Sequence, residues 1–296
     1  MSSRKANSRH RFLLARFNVD YILGFGTAPE IKRALTNFST SERENEQRMD
    51  ETYDRIIGSI REKPQGIQKY VYRALSWIVY ATRTLTVQEL LVAISVEPGQ
   101  YHLNDGDTIR LKDLLGYCNG LLISDGQSVG LVHFSVRNYL DRHQVIPEDA
   151  RETYHAIACS TFLSFDLLKG CHYDDPFSLM ESHPFLDYAA NNLTFHLSRV
   201  ERRYYAETTS AVLKQLGGLD HRRVYCLINS EIGAPYDIAC LSLACAIGYE
   251  DAVRTLLEEG EVDINATDSR NGLTPLSWAV LMEHEAVVKR FSARKN

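Results

Sequence analysis

Three stretches of this chain combine residue types that do chemistry in other proteins. Gly126-Gln127-Ser128-Val129-Gly130 matches the G-x-S-x-G pattern, in which a serine hydroxyl on a sharp turn becomes a nucleophile. That turn needs a buried strand before the serine and a helix after it. Here an apolar run, Val129-Gly130-Leu131-Val132-His133-Phe134, follows Ser128, so the serine is expected at a hairpin tip. Asp141 and His143 lie too close behind it to form the usual triad. Cys171-His172-Tyr173-Asp174-Asp175, with His183 nearby, offers thiol, imidazole and carboxylate donors. Zinc sites draw on cysteines or histidines paired at short spacings. No such pair occurs there, and no metal ligand is assigned. Gly24-Phe25-Gly26 has glycines but no lysine to reach a phosphate, and no G-x-x-x-x-G-K-[ST] loop occurs in the chain. The expectation is a protein with no catalytic residue, no cofactor and no metal, and so not an enzyme.

Bulk properties narrow the partners. A net charge of −5 gives no global field for DNA or RNA. The helix that would enter a groove, over 107–119, sets Asp107 and Asp113 against Arg110 and Lys112. No nucleic-acid partner is expected. No apolar run reaches the ~18 residues of a membrane span, so no membrane partner is expected either. The basic start lacks the apolar core of a secretory signal. None of the cysteines forms C-x-x-C, and most sit in apolar helical patterns, as buried thiols of a reducing, cytoplasmic compartment would.

The elements that would position any site are mainly α-helical. Residues 11–38 read as two helices and 39–48 as a polar, solvated linker. Met49, Tyr53, Ile56, Ile57 and Ile60 form the apolar face of the next helix. After Lys63-Pro64-Gln65-Gly66, three helical stripes follow. Thr86-x-x-Glu89 opens the second of them as a capping box. Two short apolar runs flank Asp125-Gly126 and predict a β-hairpin, after which Ser135 is expected to cap a helix carrying Val136, Tyr139 and Leu140. Helices, hairpin and closing helix together spell a winged helix. Four segments result: 1–62, a helical remnant; 63–146, the winged-helix domain; 147–235, a helical linker region; and 236–296, repeats.

The repeats show as a period. Leu241-Ser242-Leu243-Ala244 returns 35 residues later as Leu276-Ser277-Trp278-Ala279, preceded by Thr274-Pro275, and Ala252-Val253 returns as Val287-Val288. That period, with Thr-Pro opening a helix, marks ankyrin-type helix pairs. One unit reads as full and one as incomplete, dissolving after Phe291. Small residues (Ala244, Cys245, Ala246, Ala279) allow close packing of the inner helices, and Gly248 permits the tight turn. Inner helices and connecting loops face the partner in such stacks, so Ser242, Asp268, Arg270, Asn271, Ser277 and Trp278 are the expected contacts to a protein partner.

This order of parts resembles the region downstream of the nucleotide-binding core in fungal STAND-class NTPases of the NACHT–ankyrin kind. The resemblance rests on residues 49–57, on Ala74-Leu75-Ser76-Trp77-Ile78 with residues 83–90, on residues 131–140 and on the ankyrin units, and it spans 12–296. In that family the NACHT core binds nucleotide, the winged helix clamps it and the ankyrin array senses a ligand. The implied role is signalling in self/non-self recognition or programmed cell death. The resemblance also implies a nucleotide-sensing role for His133, at the end of the second hairpin strand. A buried histidine that satisfies the helix start beside Ser135 is the competing reading. The missing phosphate loop means that NTPase activity does not carry over. The function expected is a non-catalytic interaction and signalling module of a STAND-type switch. The alternatives are a regulatory part completed by a separate or missing NACHT core, with which the chain would associate, and a truncated fragment without independent function.

Overall fold

The computed structural model describes residues 42–104, 106–166, 176–218 and 238–293, with residues 27–29, 32 and 226. Most of the two helices expected over 11–38, and Cys171 to Asp175, lie outside the described residues. The fold is mainly helical, with one two-stranded antiparallel sheet among the described residues. Two compact units form: 1–72 with 112–146, and 73–111 with 147–296. The segment 63–146 contributes to both.

In the first unit, α1 (Glu42–Arg61) buries Met49, Tyr53, Ile57 and Ile60, the face that the spacing predicted. It also corrects one expectation. The polar run is helical from Glu42 onward, because Glu, Arg and Gln are good helix formers and a solvated sequence need not be a coil. The helix α2 (Gln65–Tyr80) starts just after Pro64, and the division between the units falls after its Tyr72. The short α4 (Leu111–Tyr117) leads through Asn119 (φ +47°) and Gly120 (φ +84°) into β1 (Leu122–Ser124). Strand β2 (Val129–Leu131) pairs with it in the register Leu122–Leu131, Ile123–Gly130, Ser124–Val129. The turn between them is held by Asp125, whose Oδ1 accepts from the backbone N–H groups of Gln127 (2.9 Å) and Ser128 (2.7 Å). Helix α5 (Phe134–Arg142) then packs on α1 and β2, with Tyr53 and Tyr139 in ring contact at 5.2 Å.

The second unit is built around α6 (Glu152–Leu163), buried along 153–163. Helices α8 (Leu186–Leu197) and α9 (Tyr205–Gly217) pack against it; α7 (Pro176–Ser182) precedes α8. Helix α3 (Val87–Ser95) opens with the predicted capping box: the Thr86 side chain accepts from Glu89 N–H, and the Glu89 carboxylate accepts from Thr86 N–H. Buried Arg73 makes a two-toothed ion pair with Glu97, both contacts at 3.0 Å, donates to the Ile94 carbonyl and lies over the Tyr154 ring. A fixed guanidinium fork thereby ties α2, the end of α3 and α6 together. Two helix pairs follow: α10 (Cys240–Ile247) with α11 (Glu250–Glu259), and α12 (Pro275–Leu281) with α13 (Glu285–Ala293). The last helix continues through Ala293, past the Phe291 at which the second unit was expected to dissolve.

Candidate functional site

The paired helices stack in register. α10 packs on α12, α11 on α13, and α9 lies against the first pair. Thr274 and Pro275 start α12 as their types require: Thr274 Oγ1 accepts from Ser277 N–H at 3.2 Å, and the proline sits in the first turn, where a missing N–H costs nothing. Gly248 (φ +79°) ends α10 in the left-handed region. Glu283 (φ +60°) occupies the matching place after α12. The ring of His284 lies over Gly248, where any Cβ would overlap it, and its Nε2 reaches the Ala246 carbonyl at 3.0 Å. That bond ties one helix pair to the next.

The loop into α12 is organised by Asp268. Its Oδ1 accepts from the backbone N–H groups of Arg270 (3.0 Å) and Asn271 (2.6 Å), and its Oδ2 accepts from Leu273 N–H (3.0 Å) and the Trp278 indole N–H (3.2 Å). Burial alone would raise this carboxyl, but the donated bonds outweigh it and hold the pKa below the usual range. These contacts correct the expected contact set. Ser242 and Trp278 are buried, each 1% exposed, and Asp268 is 8% exposed. Their side chains build the stack and do not reach its surface: the indole turns inward to satisfy Asp268, and Ser242 lies within the buried α10. Arg270 and Asn271 are exposed at the loop tip, and Ser277 is half-buried, its hydroxyl 2.9 Å from Thr274 Oγ1. Beside them α12 presents an apolar strip that the sequence reading did not single out: Leu276, Val280 (58% exposed) and Leu281 (60% exposed).

Residues 214–295 match the family model of ankyrin repeats (3 copies). These helix pairs are ankyrin repeats. No curated protein and no solved structure matches the chain. The match to the ankyrin model begins within α9, the helix that packs on the first pair. Ankyrin repeats are interaction modules, and their stacked faces bind other macromolecules.

The other candidates take structural places. His133 is buried and is itself the N-cap of α5: its Nδ1 accepts from Ser135 N–H at 3.2 Å and lies 2.7 Å from Ser135 Oγ, which in turn meets Tyr53 Oη at 2.8 Å. The cap is thus His133, not Ser135 as the sequence suggested. Ser128 sits in the hairpin turn with its hydroxyl 3.3 Å from both oxygens of Asp125, and a strand, not a helix, follows it. Cys118, Cys159, Cys226 and Cys245 are buried thiols, and burial pushes Cys118 and Cys245 up to about 12. No helix among the described residues is long and apolar enough to cross a membrane.

One cluster of potential ligands was missed. Glu152 in the first turn of α6, His155 one turn later and His196 on α8 bring their ligating atoms within 4.8 Å of one another. His196 Nδ1 is 2.7 Å from Glu152 Oε2, and His155 Nδ1 is 3.8 Å from the same oxygen. Both rings are fully buried. The His155 ring stacks on Trp77 with centroids 3.8 Å apart. Burial pushes His155 down to about 4; burial pushes Glu152 up, and the facing imidazoles more than reverse this, to about 2. Glu152 also lines a cleft of ≈ 360 Å³, with Tyr80, Glu148, Arg151 and Arg199 among its walls.

Proposed function

We propose that this chain is a non-catalytic binding protein whose ankyrin repeats hold a protein partner, as part of a STAND-type switch. The observation that carries the first half is the exposed strip Leu276, Val280 and Leu281, flanked by Arg270 and Asn271 on a loop that Asp268 makes rigid. Grouped exposed apolar side chains mark interaction surfaces, and arginine is among the residue types enriched at binding hot spots. A braced loop also binds at lower entropic cost than a mobile one. The second half rests on the order of parts that resembles the NACHT–ankyrin proteins, with association with a NACHT core as the corresponding partner. In this reading residues 63–146 act as the winged-helix part of the switch.

The test is capture from a lysate with the full chain and with Val280→Asp/Leu281→Asp and Arg270→Ala, followed by crosslink mapping of whatever is retained. A partner crosslinked to 268–281 and lost at least tenfold in the variants is the expected result. Retention unchanged in both variants would overturn the assigned surface. Calorimetry with ADP and ATP addresses catalysis: no heat is expected, and magnesium-dependent nucleotide binding would overturn the non-catalytic reading.

A further inference from the structure

The cluster on α6 and α8 is polar, deep and incompletely satisfied. His155 Nδ1 has no hydrogen-bond partner among the described residues, although the residue is 0% exposed. A buried nitrogen of this kind destabilises the fold if nothing meets it. Its other nitrogen is accounted for: Nε2 is 3.0 Å from Ser76 Oγ. His196 repeats the arrangement, with Nε2 2.9 Å from Tyr188 Oη. Both rings are therefore held from behind by a hydroxyl, and both turn Nδ1 toward one carboxylate. Metal-binding histidines are oriented in the same manner, through the nitrogen that does not bind.

We propose that Glu152, His155 and His196 bind one divalent ion of the zinc class, through the carboxylate and the two Nδ1 atoms. Two imidazoles and a carboxylate are a ligand set that zinc uses in three-residue sites that keep a fourth position for water. The donor spacing suits it. Tetrahedral bonds of ~2.1 Å set donors ~3.4 Å apart. His155 Nδ1 and Glu152 Oε2 are 3.8 Å apart, and the closer pair, at 2.7 Å, must open by a fraction of an ångström. Glu152 opens onto the cleft, which supplies the route of entry and the fourth ligand; its walls set Glu148 and Glu201, both paired with Arg203, against Arg151 and Arg199 around the path of a cation. Arg199, 3.6 Å from Glu152 Oε1, opposes it, but this side chain is 56% exposed and free to swing outward.

Binding through Nδ1 calls for a change of tautomer at His196. Without metal, Tyr188 O–H donates to His196 Nε2 while His196 Nδ1–H donates to Glu152. With metal, the ring carries its proton on Nε2 and donates it to Tyr188 Oη. The tyrosine hydroxyl then donates to Thr82 Oγ1, 3.4 Å away, whose own proton goes to Asn192 Oδ1. Trp77, closed around by Tyr154, Phe185, Tyr188 and both histidines, keeps the two rings dry and in place.

The experiment uses the full chain, stripped with a chelator, desalted and titrated with Zn²⁺ alone. Bound metal is counted by elemental analysis, and the ring nitrogens are followed by nitrogen-15 NMR of the unmutated protein. One equivalent is expected, with the Nδ1 signals of His155 and His196 shifted and their Nε2 atoms protonated. Tyr188→Phe, which keeps the packing and removes the hydroxyl, is expected to weaken Zn²⁺ by 10- to 100-fold. His196→Gln is expected to remove the ion. Failure to retain zinc would overturn the proposal. So would one equivalent of zinc that leaves both histidine signals unmoved, since a cysteine site elsewhere would then hold it. The Tyr188→Phe affinity and the spectra of the unmutated chain decide the matter even if His196→Gln does not fold.

Discussion

At the scale of single residues, Asp268 shows how one carboxylate organises a loop. It is the common acceptor for three backbone donors and one indole. Asp268→Ala strands these four groups together, and a loss of about 3 kcal/mol is expected, since each unmet buried donor costs about 1–3 kcal/mol and some will find water. Amide exchange at Arg270, Asn271 and Leu273 reads it: these three amides should lose protection in the variant while the α6 amides keep theirs. Its pH dependence has a definite sign. The folded pKa is depressed, so the contribution is present above the unfolded value of about 3.9 and disappears as pH falls through the lower folded value. Asp268→Asn should therefore be less stable than the parent at pH 7, and the difference should shrink only below about pH 4. Urea titrations at both pH values check this; a gap that closes between pH 7 and 5 would contradict the assignment.

At the scale of elements, the turns between helices separate two costs that a glycine substitution usually mixes. Gly248 and Gly260 are both left-handed, at φ +79° and +72°. Alanine at Gly260 meets open space and should cost only the backbone term, about 1–2 kcal/mol. Alanine at Gly248 pays that term and also displaces the His284 ring, losing its bond to Ala246. A cost about 1–2 kcal/mol larger is expected, and in a His284→Ala background the same Gly248→Ala change should cost the backbone part alone. Glu283, a non-glycine at φ +60°, should behave oppositely: Glu283→Gly is expected to stabilise by about 1 kcal/mol. Thermal or urea unfolding of these variants, with His284→Ala alone as the reference for the double variant, distinguishes these outcomes. What the sequence reveals and what it hides divide along the same line. The Thr86/Glu89 box, the Thr274-Pro275 start, the turn at Asp125-Gly126 and the repeat period all act over a few residues, or recur, and each was legible. The inward turn of Trp278 was not, because its partner Asp268 reaches it only once the loop has folded back. Helix in the polar run from Glu42 was hidden because a solvated pattern does not distinguish coil from helix. Glu152 and His155 form a visible one-turn pair, but nothing in the pattern announces that α8 will lay His196 beside them.

At the scale of the whole molecule, the two units should respond separately to anything that binds one of them. A ligand that binds only the folded form stabilises by RT ln(1 + [L]/Kd), about 2.7 kcal/mol at a hundredfold excess over Kd. The proposed zinc ligands and their hydroxyl supports, Ser76 and Tyr188, all belong to the unit of 73–111 with 147–296. Zn²⁺ at that excess should slow amide exchange in α6 and α8 by about a hundredfold. It should leave α1, α5 and the hairpin near their metal-free rates. The reverse pattern is expected for a ligand of the His133 region, and none is expected for ADP, because the His133 ring is buried and its Nδ1 already caps α5. Exchange measured on one sample with Zn²⁺, ADP and neither separates these cases. Protection gained in α5 with ADP would restore His133 as a nucleotide sensor. Protection spread evenly over both units with Zn²⁺ would mean that the metal acts elsewhere than at Glu152, His155 and His196.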